Sequence, residues 1–373
     1  MQKKLLSLAI AGTLALPGAA MADLKNVDVY GKFHASWDFV GNDSTTDDFD
    51  DNTGVFRNSR LGFKGAEDIS DGIKAVWQIE TALNTNTTGN NGDKLGMRNT
   101  YIGLASESFG TVALGKHDTP YKTATAKLDI FSDTIADYNN IIGAHLTSAG
   151  TGAVASNFNE REPQLVMYTT PEFNGFKARI ARQSWQNDET TAGDDNTEGW
   201  SGMGMYDKGP IFASLAYELF KGNNNNGATA TSDVDAWKLG LGYKLGNSKV
   251  SIVYEDIELD GATGVAKASS RDAFSVNFAH DIGANTIKLA YAKANDSDAA
   301  GSSDGAQNWS LGVDHNFSKR TKVYAIYTRM DNDSNANYTL YAGQARSGNY
   351  AGTGATTNGQ DIDAVSLGII HKF

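Results

Sequence analysis

Four cations draw attention first. Lys32, Arg60 and Arg98 each fall on the polar parity of an alternating stretch, within VDVYGKFHASWDF, SRLGFKGAEDISDG and RNTYIGL, and Arg161 stands seven residues before Tyr168. A second set is acidic. The stretch LDIFSDTIADY spaces Asp129, Asp133 and Asp137 four apart. A short helix there would put all three on one face, where like charges are mildly destabilising unless cations answer them. These residue types support electrostatics rather than bond-making. No serine lies in a nucleophile's arrangement with a histidine and an acid, and Cys is absent, so no catalytic residue is assigned. The six histidines (34, 117, 145, 280, 315, 371) show no ligand-like pairing, and no metal or cofactor is expected. Asp48, Asp50 and Asn52 have the alternate spacing of a calcium loop. The glycine comes one residue late at Gly54, and Ser59 stands where a closing Glu belongs. LGLGYKLG has strand parity, which argues against a nucleotide-binding turn.

The elements around these residues are strands. Phe33, Ala35, Trp37 and Phe39 alternate with Lys32, His34, Ser36 and Asp38. The same period of two runs through 73–80, 237–243, 250–255, 274–278, 287–292 and 309–314, each with an apolar and a polar or small parity. The final strand keeps it to the last residue: Val365, Leu367, Ile369, His371 and Phe373 share one parity. About sixteen such strands can be marked. Their connections alternate between tight turns, such as 246–248, 281–285 and 317–320, and long acidic loops, such as 42–53, 186–198, 221–233 and 331–360. Short turns on one rim and long loops on the other are the plan of an antiparallel transmembrane β-barrel, an all-β fold. An even strand number lets the last strand pair with the first and removes both edges. Aromatic residues crowd the apolar parity near strand ends (Trp37, Phe39, Trp77, Tyr101, Tyr217, Tyr243, Tyr291, Tyr327), as interfacial girdles require. A soluble β-sandwich shares the alternation but not the strand number or the girdles.

Residues 1–22 carry an export pattern: Lys3 and Lys4, an apolar run from Leu5 to Leu16, then Ala20 and Ala22 flanking Met21. Cleavage is expected after Ala22, leaving a single domain, 23–373. Without Lys3 and Lys4 the formal charge moves from −12 to −14. An acidic chain disfavours nucleic acid as a partner. With no cysteine, the exported fold does not depend on disulfides.

The blocks VDVYGKFHASWDF, SRLGFKGAEDISDGIKAVWQIE, RNTYIGLASESFGTVALGKHDTP, YTTPEFNGF and the terminal IIHKF resemble the Gram-negative general porins over about Val27–Phe373. That resemblance implies a sixteen-stranded barrel in the outer membrane, assembled as a homotrimer among lipid and lipopolysaccharide, through which small hydrophilic solutes and ions diffuse. It implies that the long third connection, His117–Glu160, folds into the lumen as a constriction loop. Lys32, Arg60, Arg98 and Arg161 match the basic wall of the constriction, and Asp129, Asp133 and Asp137 would supply the opposing acidic side. Lys74, Lys177 and Arg179 share the lumenal parity and extend the basic ladder. Leu367, Ile369 and Phe373 look like the signal read by the barrel-assembly machinery.

The leading functional expectation is passive diffusion, with size and charge doing the selecting. A solute-specific porin for an oligosaccharide or an anion is an alternative, and so is a plugged surface barrel acting as adhesin or receptor. Acidic loops argue for cation preference and the basic wall for anions. Mouth charge is screened within ~8 Å at physiological salt, and the sequence leans to cations.

Overall fold

The computed structural model describes residues 27–42, 51–83, 95–143, 158–185, 197–223, 232–259, 269–298, 301–340 and 358–373. The expected export signal, the calcium-like acids at 48 and 50 and the centres of most long loops lie outside the described residues. Eighteen hydrogen-bonded segments form one antiparallel sheet. They are β1 Val27–Asn42, β2 Asp51–Phe56, β3 Arg60–Ser70, β4 Ile73–Leu83, β5 Leu95–Met97, β6 Thr100–Ser106, β7 Gly110–Asp118, β8 Arg161–Thr169 and β9 Phe176–Trp185. The series continues with β10 Thr197–Lys208, β11 Ile211–Asn223, β12 Ser232–Leu245, β13 Ser248–Leu259, β14 Ser269–Ile282, β15 Asn285–Ala294, β16 Ala306–Asn316, β17 Thr321–Asn332 and β18 Ile362–Lys372.

Two pairs of segments are single staves with a break. β2 and β3 both pair with β1, and β5 and β6 both pair with β4. The ring therefore has sixteen staves. It closes where β1 pairs with β18, from Lys32 opposite Lys372 to Asn42 opposite Ile362. Closure leaves no unpaired edge, the condition for sheet in a bilayer. Pairing also reaches into the rims of the expected loops, with β2 starting at Asp51 and β17 running to Asn332.

Burial is inverted relative to a soluble sheet. Along β1, Phe33, Trp37 and Phe39 are about half exposed on the outside, whereas His34 and Asp38 are fully buried on the inside. Leu239 and Leu241 face out while Lys238 is buried. An apolar belt of this size is stable only against lipid. Among the described residues no helix is long and apolar enough to cross a membrane. Tyr217, Tyr243 and Tyr327 stand in the exposed belt. Tyr101 does not. It pairs with inward-facing Gln78 and packs its ring on His117, with centroids 5.2 Å apart. A break before β6 shifts the parity that the sequence alone suggests.

Candidate lumenal charge cluster

The two breaks flank β4, and they position the charges. At the first, Asn58 adopts φ 46°, a left-handed conformation that Asn tolerates. The stave is kept by Arg57 N donating to His34 O at 2.8 Å and Leu83 N to Ser59 O at 2.8 Å. Arg57 turns into the wall, where its Nε donates to Ser36 Oγ at 2.9 Å and its guanidinium pairs with fully buried Asp38. At the second break, Arg98 N donates to Glu80 O at 2.8 Å. Interruptions of a ladder re-aim side chains. Here they bring Asn58, Arg60 and Arg98 to neighbouring positions on the inner face.

Asp133 meets them. Its carboxylate accepts from Lys32 Nζ, from Asn58 Nδ2 at 2.6 Å and from Arg60 Nη2 at 3.2 Å. Arg98 joins through Asn58, to whose Oδ1 its Nη1 donates at 3.3 Å. Its Nε donates to Glu80 Oε1 at 2.6 Å, and Tyr30 OH donates to Glu80 Oε2 at 3.0 Å. Arg161 lies in a second group. It donates to Asn99 Oδ1 at 2.7 Å and to Asp118 Oδ1 at 2.8 Å, and Lys122 lies 3.3 Å from the same Asp118 oxygen. Each of Asp133 and Asp118 is thus shared by two cations. Of the ladder residues, Lys74 lies 3.5 Å from Asp68, Lys177 4.0 Å from Glu172, and Arg179 Nη1 donates to Thr123 Oγ1 at 3.3 Å.

The segment carrying Asp133 is not the helix that the four-residue spacing suggests. β7 runs through Asp118, two residues into the expected loop. A short α-helix, α1 Pro120–Thr125, follows, capped by Thr119 Oγ1, which accepts from Lys122 N at 3.2 Å. From Asp129 to Asp137 the chain turns irregularly, with Asp133 at φ 62°. Asp129 Oδ1 accepts from Phe131 N at 2.8 Å. The Asp137 oxygens accept from Asp133 N at 2.7 Å and Asn139 N at 2.9 Å. Carboxylates that bond nearby amides compete with the helix. Asp129 and Asp137 therefore shape the loop from within, and Asp133 alone of the three reaches the basic residues. Burial by itself would raise the Asp133 carboxyl, but Lys32 and Arg60 overcome it and hold the group well below the usual carboxylate range. Asp129 moves well upward, through burial first and then the charge of Asp137.

Opposite Asp133 the same segment is clasped to the wall. Phe131 packs where a Cβ on Gly312 would come within 2.6 Å of its ring, and Leu128 occupies the space over Gly240 and Gly242. Ser251 Oγ donates to Leu128 O at 3.1 Å. Fully buried Glu255 accepts from Tyr121 OH at 2.8 Å, Gly143 N at 2.7 Å and Arg271 Nη2 at 3.0 Å. Ile135, Ile141 and Ile142 complete an apolar cluster with Val40, Met330 and Leu340.

The C-terminal residues close the ring. Leu367 and Ile369 lie opposite Trp37 and Ala35 on the outer face. Phe373 and Gly31 exchange both backbone bonds, at 3.0 and 3.1 Å. The Phe373 ring packs 5.7 Å from that of Phe33, over Gly31, where a Cβ would lie 2.3 Å from it.

Sequence reasoning missed Asn58, Glu80, Asp118 and Lys122. Glu80 was visible as an inner-parity acid in IKAVWQIE. Asn58 and Asn99, each beside one of the basic residues, were the signals of the two breaks.

A closed sixteen-stave barrel, apolar outside and charged inside, is a transmembrane β-barrel. The model of the Gram-negative porin family matches residues 7–337. Outer membrane porin protein 32 of Delftia acidovorans is 30% identical over 380 residues, covering 100% of both chains. An outer membrane porin protein of Bordetella pertussis is 30% identical over 260 residues, 63% of each chain. Among solved structures, an anion-selective porin from Comamonas acidovorans superposes with a TM-score of 0.73 at 25% identity, covering 93% of this chain and 99% of that one. A trimer form of Vibrio cholerae OmpT superposes with a TM-score of 0.62 at 16% identity, covering 93% and 99%, which shows a shared fold alone. The chain belongs to the Gram-negative porins. It is an outer-membrane porin, a channel for passive diffusion of small hydrophilic solutes and ions.

Proposed function

We propose that residues 119–160 form the constriction loop, in place of the expected 117–160, and that the charge cluster it meets is the selectivity zone. Lys32, Arg60, Arg98 and Arg161 act as the basic wall and Asp133 as the acid opposing it. Asp129 and Asp137 serve by fixing the loop. The observation that carries this reading is the sharing of one carboxylate between two cations at both Asp133 and Asp118. The balance at the wall is therefore positive, and a zone of one sign biases ion choice. We assign a modest anion preference, reversing the lean that the acidic loops suggest. The likeness to the anion-selective porin from Comamonas acidovorans supports this direction.

The remaining roles follow the family. Residues 1–22 serve as the cleaved export signal and 23–373 as the mature porin. Three copies assemble in lipid and lipopolysaccharide. Leu367, Ile369 and Phe373 serve the assembly machinery.

The chain's lack of cysteine makes the test clean. Arg60→Cys is made in the whole protein and exposed to a bulky thiol reagent during single-channel recording. A stepwise fall in conductance supports the assignment. Demonstrated labelling that leaves conductance unchanged refutes it.

A further inference from the structure

We propose that the outer face of β9–β11 holds a phospholipid of the periplasmic leaflet, its acyl chain over Gly202 and Gly204 and its phosphate on Lys208. A depression of about 620 Å³ opens on this face, with Gly204, Leu215 and Tyr206 in its lining. Its floor is glycine without local need. A Cβ on Gly204 would meet nothing within 4 Å, and one on Gly202 only Arg179 O at 3.9 Å. Gly31, Gly62 and Gly103, by contrast, have no room for a Cβ. The smooth floor on β10 therefore leaves space for something outside the chain. Its sides are apolar. Ile180 and Tyr217 lie opposite Gly202, and Ala178 and Leu215 lie opposite Gly204. Phe176 and Tyr206 stack at its foot, with centroids 4.7 Å apart.

Length and charge identify the occupant. The groove runs toward the tight turn at Gly209–Pro210, and tight turns mark the periplasmic rim. Six residues separate Gly202 from Lys208, about 20 Å along a strand. At a tilt of about 45° this is about 14 Å of depth, close to half of a hydrocarbon core of about 30 Å. The outer face from Gly202 to Lys208 thus spans one leaflet, with the depression at Gly204 and Tyr206 within it and an exposed cation at its end. Neighbouring charges are engaged elsewhere, Lys177 with Glu172 and Asp207 with Lys127. Lys208 forms no ion pair among the described residues, which leaves it for an anionic phosphate.

The test is native mass spectrometry of the intact protein extracted from membranes and exchanged into detergent, then titrated with phosphatidylglycerol. Wild type should retain one phospholipid per protomer. Gly204→Leu fills the groove and should lower retention about tenfold, the loss of about two methylene contacts. Lys208→Gln should lower phosphatidylglycerol binding about fivefold, as expected for one lysine near an anionic headgroup. Heat-modifiable migration reports folding of each variant, and Lys208→Gln decides alone if Gly204→Leu does not fold. Equal retention in wild type and both variants overturns the proposal. So does loss of the oligomer in Gly204→Leu with lipid retention unchanged, which would assign the groove to a second copy of the chain.

Discussion

Neutralising Arg60 gives a direct reading of the wall's field. Its side chain is about a quarter exposed, and Asp133 stays held by Lys32 and Asn58 when it is removed. Arg60→Gln should therefore change the field without collapsing the loop. A monovalent ion passing ~6 Å away interacts with one charge by ~0.7 kcal/mol in water. Screening over ~8 Å reduces this to roughly 0.3 kcal/mol. The change favours cations and disfavours anions equally, so the cation-to-anion permeability ratio should rise about threefold. The assay is the reversal potential of the reconstituted porin under a tenfold salt gradient. Asp133→Asn should shift the ratio about as far the other way. Arg182→Gln is the control, because Arg182 lies on the outer parity beside Glu198. An unchanged ratio in folded Arg60→Gln channels, or a shift as large in the control, would refute the reasoning.

Glu255→Gln removes the charge that Arg271 Nη2 meets at the anchored side of the loop. Removing one member of a buried pair costs about 3–5 kcal/mol, so the thermal transition should fall and open-channel noise should rise, as read by heat-modifiable migration and single-channel recording. Gly31→Ala drives a methyl into the Phe373 ring and Arg60 O. Overpacking of about 1–3 kcal/mol should lower the refolding yield in detergent, with wild-type conductance in the molecules that do fold. The loop acids set opposite pH dependences. Asp133 is depressed when folded, so its stabilisation is complete above the unfolded value of about 4 and is lost only as pH falls further. Asp129 is raised, so its contribution worsens as pH rises above about 4. Asp129→Asn should therefore remove part of the stability loss between acid and neutral pH, measured as the midpoint of chemical denaturation at each pH.

The barrel was legible because its physics is periodic. A strand facing lipid on one side and water on the other must alternate, and Phe33 through Phe39 or Trp237 through Tyr243 do so without interruption. The ends were legible for the same reason, down to the parity that places Phe373 beside Phe33. What period two does not carry is a break in the stave. Arg57–Ser59 and Arg98–Asn99 each interrupt a ladder, so simple alternation puts Tyr101 on the outer face and gives no sign of Asn58. The loop was legible as a long segment without strands, but not in its shape. The four-residue spacing puts Asp129 and Asp137 on a charged face, whereas their oxygens are committed to backbone amides of their own loop. Asp133 differs because its left-handed backbone turns it out of that pattern and toward β1 and β3. Glu255 and Arg271 could not be paired from sequence, since they meet only across neighbouring strands and beneath a loop more than a hundred residues away.

The function proposed here needs an open, water-filled bore whose narrowest zone carries a positive balance. The measurement that tests it most directly is single-channel recording of the folded mature protein in a planar bilayer, with a salt gradient across it. Large steps that close in threes and a reversal potential on the anion side are expected. Silence from a barrel shown to be folded and inserted would contradict the open bore. A clear cation potential would contradict the assignment of the wall.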